Sequence, residues 1–358
     1  MPANTNAFMQ AEQHHTPSTP EVEATVVVPP ISNLQSRIQD GRALELRRPP
    51  RKDSPRQSHP GEAIAARWSY LAAFVLLRPG RGCYNLAMSS ITSIGFLGSG
   101  KMASALAKGI LKAGLVTPDR ILASDPQEIS RGSFQRDTGI LPSAANAAVV
   151  DACDVLIIAV KPDQVPYLLS EIAPRITPNH LIISIAAGVS LAKLQAPLPE
   201  QSRIVRVMPN TPALVGASAT GYTLGSHTRP NDSQVVHTIF SAVGVAFEVK
   251  ESLMDAVTGL SGSGPAYAYL MIEALSDGAV AAGLPRDAAT RLAAQTLMGA
   301  AKMVLETGLH PGALKDMVTS PGGTTIEGIH ELEKGGVRAA LMNAVRSASD
   351  KSRRLGQG

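Results

Sequence analysis

The sequence has few of the residues on which secreted scaffolds, metal centres and nucleic-acid grooves depend. Only two cysteines, Cys83 and Cys153, occur in 358 residues, so no disulfide framework is indicated and a reducing compartment fits. No group of His, Cys, Asp and Glu has the spacing of metal ligands, and we therefore predict no metal. Aromatic residues make up 4% of the chain, and none interrupts its one dense basic cluster, residues 47–52. A nucleic-acid surface is therefore not indicated, although the net charge is +4.

Long hydrophobic runs are also missing. The stretch Trp68–Leu77 is apolar, but it is only about ten residues long, whereas a membrane span needs about 20. It also lies too deep in the chain for an ordinary signal peptide. We predict no membrane partner and a cytoplasmic protein, with an organelle as the alternative if the first residues are a targeting segment.

Residues 1–88 differ in composition from the rest of the chain. Met1–Pro60 is rich in proline, serine, glutamine and charge without a sustained period, which predicts disorder. Its acidic residues argue against a transit peptide. A second interpretation is that translation begins at Met88 and that the upstream residues extend the gene model. N-terminal sequencing of the native protein would test it.

The first clear motif is a glycine turn, Gly98-Ser99-Gly100, between an apolar run and a stretch with helical apolar spacing. Strand, glycine turn and helix in this order predict a dinucleotide site. Gly98 would permit the tight turn, and Gly100 would let backbone N–H groups approach a pyrophosphate at the helix N-terminus. The alternative is an ordinary turn between a strand and a helix.

Strands and helices alternate from Thr92 to about Val249. The predicted strands are residues 93–97, 121–124, 155–160, 181–185, 203–208, 219–224 and 245–249. Continuous β-branched runs are typical of parallel strands buried on both faces, whereas the alternation in 203–208 predicts a more exposed strand. The sequence therefore predicts an α/β fold with an N-terminal Rossmann-type doubly wound sheet.

Only helical patterns follow, from Leu253 to Leu355. The predicted helices are residues 265–282, 286–307, 312–318, about 324–334 and 337–355. Apolar and small residues cover more than one face of these helices, which indicates burial against a partner subunit. The predicted domains are a disordered leader or mis-annotated extension (1–88), an NAD(P)-binding Rossmann domain (89–252) and an all-α dimerisation domain (253–358).

A second candidate site is the stretch Ser320–Thr325, where two glycines precede a helix that begins with two threonines. Free N–H groups at a helix N-terminus, with hydroxyl donors beside them, suit a carboxylate. The alternative is a capped helix after a turn. A third stretch, Ser261–Tyr267, is either a connection between domains or lets the helical domain approach the cofactor closely. His310 and His330 are better explained as helix-end histidines than as acid–base groups.

Motifs in this order resemble the Δ1-pyrroline-5-carboxylate reductase family. They are residues 94–103, 207–212 with 260–267, and 314–325, and residues 159–162 and 184–188 also match. The resemblance covers the chain from about Ile91 to the C-terminus, and the motif at 314–325 is the most specific. It implies reduction of the cyclic imine pyrroline-5-carboxylate to proline by NADPH or NADH, which is the last step of proline biosynthesis.

The resemblance also implies two groups of site residues. Those for the cofactor are Leu97, Gly98, Ser99, Gly100, Lys101, Met102, Ser124, Asp125, Asn146, Ala159, Val160, Lys161, Pro162, Ala186 and Ala187. Those for the substrate are Ser320, Gly322, Gly323, Thr324 and Thr325, and the hydroxyl of Thr325 would position the ring nitrogen as the catalytic residue. At least a homodimer is implied, in which substrate contacts join the helical domain of one subunit to the nucleotide domain of another.

The choice of cofactor stays open at this point. An acid after the second strand usually binds ribose hydroxyls and repels a 2′-phosphate, so Asp125 favours NADH. Ser124, with Arg131 and Arg136 nearby, is compatible with NADPH, which the family mostly favours. We therefore expect NADPH, with NADH as the alternative.

Two other functions fit part of the sequence. A β-hydroxyacid dehydrogenase shares the two-domain plan, but that family has a lysine base on the first helix after the sheet. No lysine occurs here between Lys250 and Lys302, which argues against it. A non-catalytic NAD(P) sensor would keep the glycine turn without needing Ser320–Thr325, so the presence of both favours an enzyme.

Overall fold

A computed structural model gives the structure of residues 91–357. The predicted leader, its apolar run Trp68–Leu77 and Cys83 lie outside the described residues. No helix among the residues described is long and apolar enough to cross a membrane.

The described chain begins with a seven-stranded sheet in the order β2-β1-β3-β4-β5-β6-β7. Its strands are β1 (Ile94–Leu97), β2 (Ile121–Ser124), β3 (Val155–Ile158), β4 (Leu181–Ser184), β5 (Arg203–Met208), β6 (Ser218–Leu224) and β7 (Gly244–Glu248). All neighbouring pairs are parallel except β5 and β6. Each predicted strand is therefore present, and every bound agrees with the prediction to within two residues.

Helices connect these strands. They are α1 (Lys101–Lys112), α2 (Glu128–Thr138), α3 (Asn146–Ala152), α4 (Val165–Ile172), α5 (Leu191–Gln195) and α6 (Asp232–Ser241). Leu106 of α1 and Val236 of α6 pack in one apolar cluster with Phe96. Val149 of α3 and Leu169 of α4 pack in a second cluster with Leu97. Because neighbouring residues of a strand point to opposite faces, the two clusters cover the two faces of the sheet, and the predicted doubly wound α/β fold is confirmed.

The second half of the described chain contains only helices. They are α7 (Met254–Val257), a π-helical turn (Thr258–Gly262), α8 (Gly264–Ala281), α9 (Arg286–Thr307), α10 (Pro311–Met317), α11 (Thr324–Lys334) and α12 (Val337–Gln357). Five of these agree with the prediction to within two residues, whereas α7 and the π-helical turn were not predicted.

The prediction of a more exposed β5 is wrong. Four of its residues, Ile204 to Val207, are buried, because the strand lies between β4 and β6 inside the sheet. The polar residues that produced the alternation have partners: Arg203 forms an ion pair with Asp232 at 2.7 Å, and the buried Arg206 lies 3.6 Å from Glu251. Paired arginines can occupy positions that an unpaired charge could not.

Candidate active site

The predicted cofactor residues follow the carboxyl ends of four neighbouring strands. In the order β2-β1-β3-β4 the chain leaves β1 towards β2 and later returns to the other side of β1 at β3. This reversal creates a crevice beside the end of β1, which is where open α/β sheets bind ligands. The loops after β1, β2, β3 and β4 therefore meet at one edge of the sheet.

Gly98 directly follows β1 and lies where the loops after β1, β2 and β3 meet. Its backbone φ is 103°, a conformation that favours glycine, and its N–H donates to the carbonyl of Ser124 at 2.8 Å. A Cβ at this position would stand 2.7 Å from the carbonyl oxygen of Ala159. Only glycine lets the ends of the three strands approach so closely.

The turn after Gly98 has the properties of an anion cradle. Gly100 is the N-cap of α1, no side-chain hydrogen bond caps this end within the described chain, and the first turn of α1 carries no acid. The space where a Cβ of Gly100 would point is open to at least 4 Å. The hydroxyl of Ser99 is buried and has no hydrogen-bond partner among residues 91–357. An uncapped helix N-terminus beside an unpartnered hydroxyl fits the pyrophosphate of a dinucleotide.

The remaining residues of the turn flank this cradle. Leu97 is the last residue of β1 and is fully buried, so it anchors the turn in the apolar cluster of one face. Lys101 is the exposed first residue of α1, and Met102 packs partly against the cluster of the other face.

A polar network lies at the end of β2. Ser124 is fully buried and donates from its hydroxyl to the side-chain oxygen of Asn146 at 2.7 Å. The amide of Asn146 donates to Glu171 at 2.9 Å. The carboxylate of Asp125 accepts from the backbone N–H of Ser99 at 3.0 Å. The structure therefore brings Ser124, Asp125 and Asn146 together beside the glycine turn.

The loops after β3 and β4 continue the same edge. The N–H of Ala159 donates to the carbonyl of Leu97 at 2.8 Å, and Val160, Lys161 and Pro162 follow directly. Ala186 is buried, whereas Ala187 is exposed.

A cavity of about 690 Å³ opens beside these loops. Its lining includes Pro162, Ala187, Thr258 and Ser263. The π-helical turn therefore borders the part of the edge that lies furthest from β2.

Sequence reasoning missed how this turn is attached to the sheet. Asn210, two residues after β5, is 7% exposed and donates from its side-chain amide to the carbonyl of Ser261 at 2.9 Å. Its side-chain oxygen accepts from the N–H of Ala219 at 3.0 Å. A buried asparagine directly after a strand was the available signal, but its partner is 51 residues away.

The second predicted site forms a separate loop. Ser320 and Gly322 are exposed, Gly322 has a φ of 64°, and Gly323 is the N-cap of α11, which no side chain of the described residues caps. Thr324 and Thr325 are the first two residues of α11. No recorded hydrogen bond within residues 91–357 joins Ser320–Thr325 to the strand ends. One copy of the described chain therefore does not connect the two sites directly.

Other candidates have structural roles. His310 is the N-cap of α10, and its Nδ1 accepts from the N–H of Gly312 at 3.1 Å. In the part of the chain that the structure covers, no group of three or more His, Cys, Asp and Glu is arranged to hold a metal ion. Burial raises the pKa of the Cys153 thiol to about 11, which keeps it protonated and unreactive near neutral pH.

Two family models match the chain. Residues 93–188 match the model described as NADP oxidoreductase, coenzyme F420-dependent, and residues 251–355 match the model described as pyrroline-5-carboxylate reductase dimerisation. Among curated proteins, a pyrroline-5-carboxylate reductase of Methanosarcina acetivorans is 55% identical over 74% of this chain and 98% of its own length. One of Arabidopsis thaliana is 48% identical over 74% and 95%.

The chain belongs to the pyrroline-5-carboxylate reductase family. Among solved structures, the pyrroline carboxylate reductase of Plasmodium falciparum, with NADP bound, is 37% identical with a TM-score of 0.67, over 74% of this chain and 98% of that one. The pyrroline-5-carboxylate reductase of Coxiella burnetii is 35% identical with a TM-score of 0.70, over the same shares. The match to the NADP oxidoreductase model, residues 93–188, includes the glycine turn, and the match to the dimerisation model, residues 251–355, includes the loop Ser320–Thr325.

Proposed function

We propose that this protein is an NAD(P)H-dependent pyrroline-5-carboxylate reductase that forms proline. The observation that carries the proposal is the anion cradle of Ser99 and Gly100 at the switch point of the sheet, in a chain that belongs to this family. The enzyme adds a hydride to the imine carbon of the substrate, and a proton is added to the ring nitrogen.

The cofactor is NADPH, with NADH as the alternative. Leu97 to Met102 hold the pyrophosphate, and Ser124, Asp125 and Asn146 surround the adenosine ribose. Ala159–Pro162 run along the cofactor, and Ala186 and Ala187 line the nicotinamide end. When bound, the reduced nicotinamide supplies the hydride.

The substrate carboxylate binds at the N-terminus of α11. Gly322 and Gly323 form the turn that leads into the helix, and the N–H of Gly323 already donates to the carbonyl of Ser320 at 3.1 Å. The donors for the carboxylate are therefore the N–H of Gly322, the first N–H groups of α11 and the hydroxyls of Ser320 and Thr324, as an uncapped helix N-terminus suits a carboxylate. In this proposal the Rossmann domain is 89–252 and the dimerisation and substrate-binding domain is 253–358. Two copies form a homodimer through the second domain, and the α11 loop of one copy completes the site of the other.

The chemistry needs few groups from the protein. A cyclic imine is easily protonated, so the hydride acceptor is made reactive without a strong acid from a side chain. The protein mainly holds the imine carbon in line with the hydride donor. The Thr325 hydroxyl positions the nitrogen and steadies its proton.

The experiment follows NADPH and NADH oxidation with pyrroline-5-carboxylate and compares Thr325→Ala with the unchanged chain. We expect turnover to fall by about a hundredfold, as when one preorganised donor is removed, while the dissociation constant of the dinucleotide stays the same.

Thr307→Ala is the matched control. The Thr307 hydroxyl donates to the carbonyl of Met303 at the end of α9, outside the proposed site, and its loss leaves turnover unchanged. Unchanged turnover in Thr325→Ala would refute the role of that residue. A folded chain that binds the dinucleotide but oxidises none with this substrate would instead favour a non-catalytic sensor or another imine or carbonyl substrate.

A further inference from the structure

The carboxylate of Asp125 is fixed in an unusual place for a site that takes NADPH. Asp125 directly follows β2, and one of its oxygens accepts from the N–H of Ser99 at 3.0 Å, inside the glycine turn. The other oxygen accepts from the N–H of Gln127 at 2.9 Å. Two backbone donors therefore hold the negative charge beside the turn.

This position is where the adenosine ribose of a bound dinucleotide lies. The pyrophosphate lies at the N-terminus of α1, and the ribose next to it reaches the end of the second strand. A carboxylate there can accept from the 2′- and 3′-hydroxyls of NADH. A 2′-phosphate would instead bring a second negative charge against it.

Nearby cations do not neutralise this carboxylate. Nη1 of Arg131 donates to the backbone carbonyls of Asp125 at 2.9 Å and Pro126 at 3.0 Å rather than to the carboxylate. Among the ion pairs of the described residues, none includes Asp125. A guanidinium of Arg136 lies over Gly132, one turn further along α2.

We propose that Asp125 sets the choice of dinucleotide in this protein and shifts it towards NADH. The proposal rests on the proposed function, because it concerns the ribose end of that same cofactor site. It makes Asp125 a specificity-determining residue and requires no change in the chemistry at the imine carbon.

The test measures dissociation constants of NADH and NADPH by isothermal titration calorimetry on the full chain, without substrate. Asp125→Ser and Asp125→Asn should each move the ratio of the two constants towards NADPH by at least about tenfold, because they remove the like charge and leave a polar side chain.

Glu128→Gln is the matched control. It removes one negative charge from the first turn of α2, three positions from Asp125, but its side chain is exposed and makes no recorded hydrogen bond with the glycine turn. The ratio should stay within about twofold of the unchanged protein. A shift as large as that of the Asp125 variants would show that only the overall charge matters, and would overturn the proposal.

The remaining outcomes are also decisive. Preference for NADPH in the unchanged protein by more than about tenfold, with no change in either Asp125 variant, would overturn the proposal and leave the proposed function intact. Failure of the folded, unchanged protein to bind either dinucleotide would contradict the proposed function itself. Thermal unfolding without cofactor checks each variant, and if Asp125→Ser does not fold, Asp125→Asn, which keeps an acceptor for Gln127, decides.

Discussion

The sheet and the helices after it differ sharply in how they bury apolar side chains. The strands β1, β3 and β4 consist entirely of buried residues. In residues 254–357 the buried hydrophobic side chains are those of Met254, Ala289 and Ala293. Leu270 on α8 is 67% exposed and Leu305 on α9 is 78% exposed.

This difference indicates how each half can hold a site. The sheet has its own core, so the cradle at its edge is preorganised in a single chain. The helices expose far more apolar surface than a monomer usually does, which marks a protein interface. We therefore expect their loop at Ser320–Thr325 to depend on a second copy for its position, whereas the glycine turn should not.

The largest effect is expected when a charged side chain is placed on the exposed face of the helices. Leu270→Glu places a carboxylate in the proposed dimer interface, where an unpaired buried charge is strongly destabilising. We expect size-exclusion chromatography with light-scattering detection to show monomers, and the midpoint of thermal unfolding to be lower by about 5–10 °C.

Tyr167→Glu is the control for this variant. Tyr167 lies on α4 in the sheet half and is 80% exposed, so a carboxylate there stays in water. It should change neither the mass of the oligomer nor the midpoint of thermal unfolding. A dimer that survives Leu270→Glu with an unchanged midpoint would show that the exposed face of α8 is not the interface.

Effects of intermediate size are expected from two glycine substitutions in the sheet half, one of which should change the stability of the fold and the other the binding of the dinucleotide. In Gly98→Ala the new residue must adopt a φ of 103°, and its Cβ would lie 2.7 Å from the carbonyl oxygen of Ala159. The substitution should therefore lower the free energy of unfolding by at least about 1 kcal/mol. Gly100 has a φ of −72° and open space beside it. Gly100→Ala should therefore keep the stability of the free protein while it weakens dinucleotide binding.

Urea unfolding and calorimetric titration measure the two quantities for each variant. If Gly100→Ala binds the dinucleotide as well as the unchanged protein, the pyrophosphate does not lie in this cradle.

The smallest effect concerns pH and the start of β4. Burial lowers the pKa of His180 from its ordinary 6.5, and its Nδ1 accepts from the N–H of Thr177 at 2.9 Å. The unfolded chain therefore binds the proton more readily, so stability is full above pH 6.5 and falls as the pH drops below it.

His180→Gln should reduce the difference in thermal midpoint between about pH 7.5 and about pH 5.5. An equal difference in both proteins would show that His180 does not titrate in this way.

The sequence predicted the strands well because each buried strand is a short apolar run of its own. It missed α3, whose seven residues contain only two buried ones, Val149 and Val150, too few to show a period. It also missed the burial of β5, because the partners of Arg203 and Arg206 lie 29 and 45 positions away at Asp232 and Glu251. Long-range pairs of this kind leave no local pattern.

The candidate site divides in the same way. The glycine turn could be found from the sequence because conformation and close packing both demand glycine at one position, Gly98. The link from Asn210 to Ser261 could not, since it depends on how the π-helical turn packs on the sheet. The family resemblance implies that Ser320–Thr325 and the strand ends together form one site, and this stays a prediction.

The most direct test of the central claim uses mixed dimers. Gly100→Ala and Thr325→Ala chains with different affinity tags are co-expressed, and the dimer that carries both tags is isolated. If each site combines the sheet of one copy with the α11 loop of the other, the mixed dimer has one site without a substitution, and we predict about half the activity of the unchanged dimer. If each site lies within one chain, every site carries a substitution, and a mixed dimer no more active than the two parent variants would contradict the account.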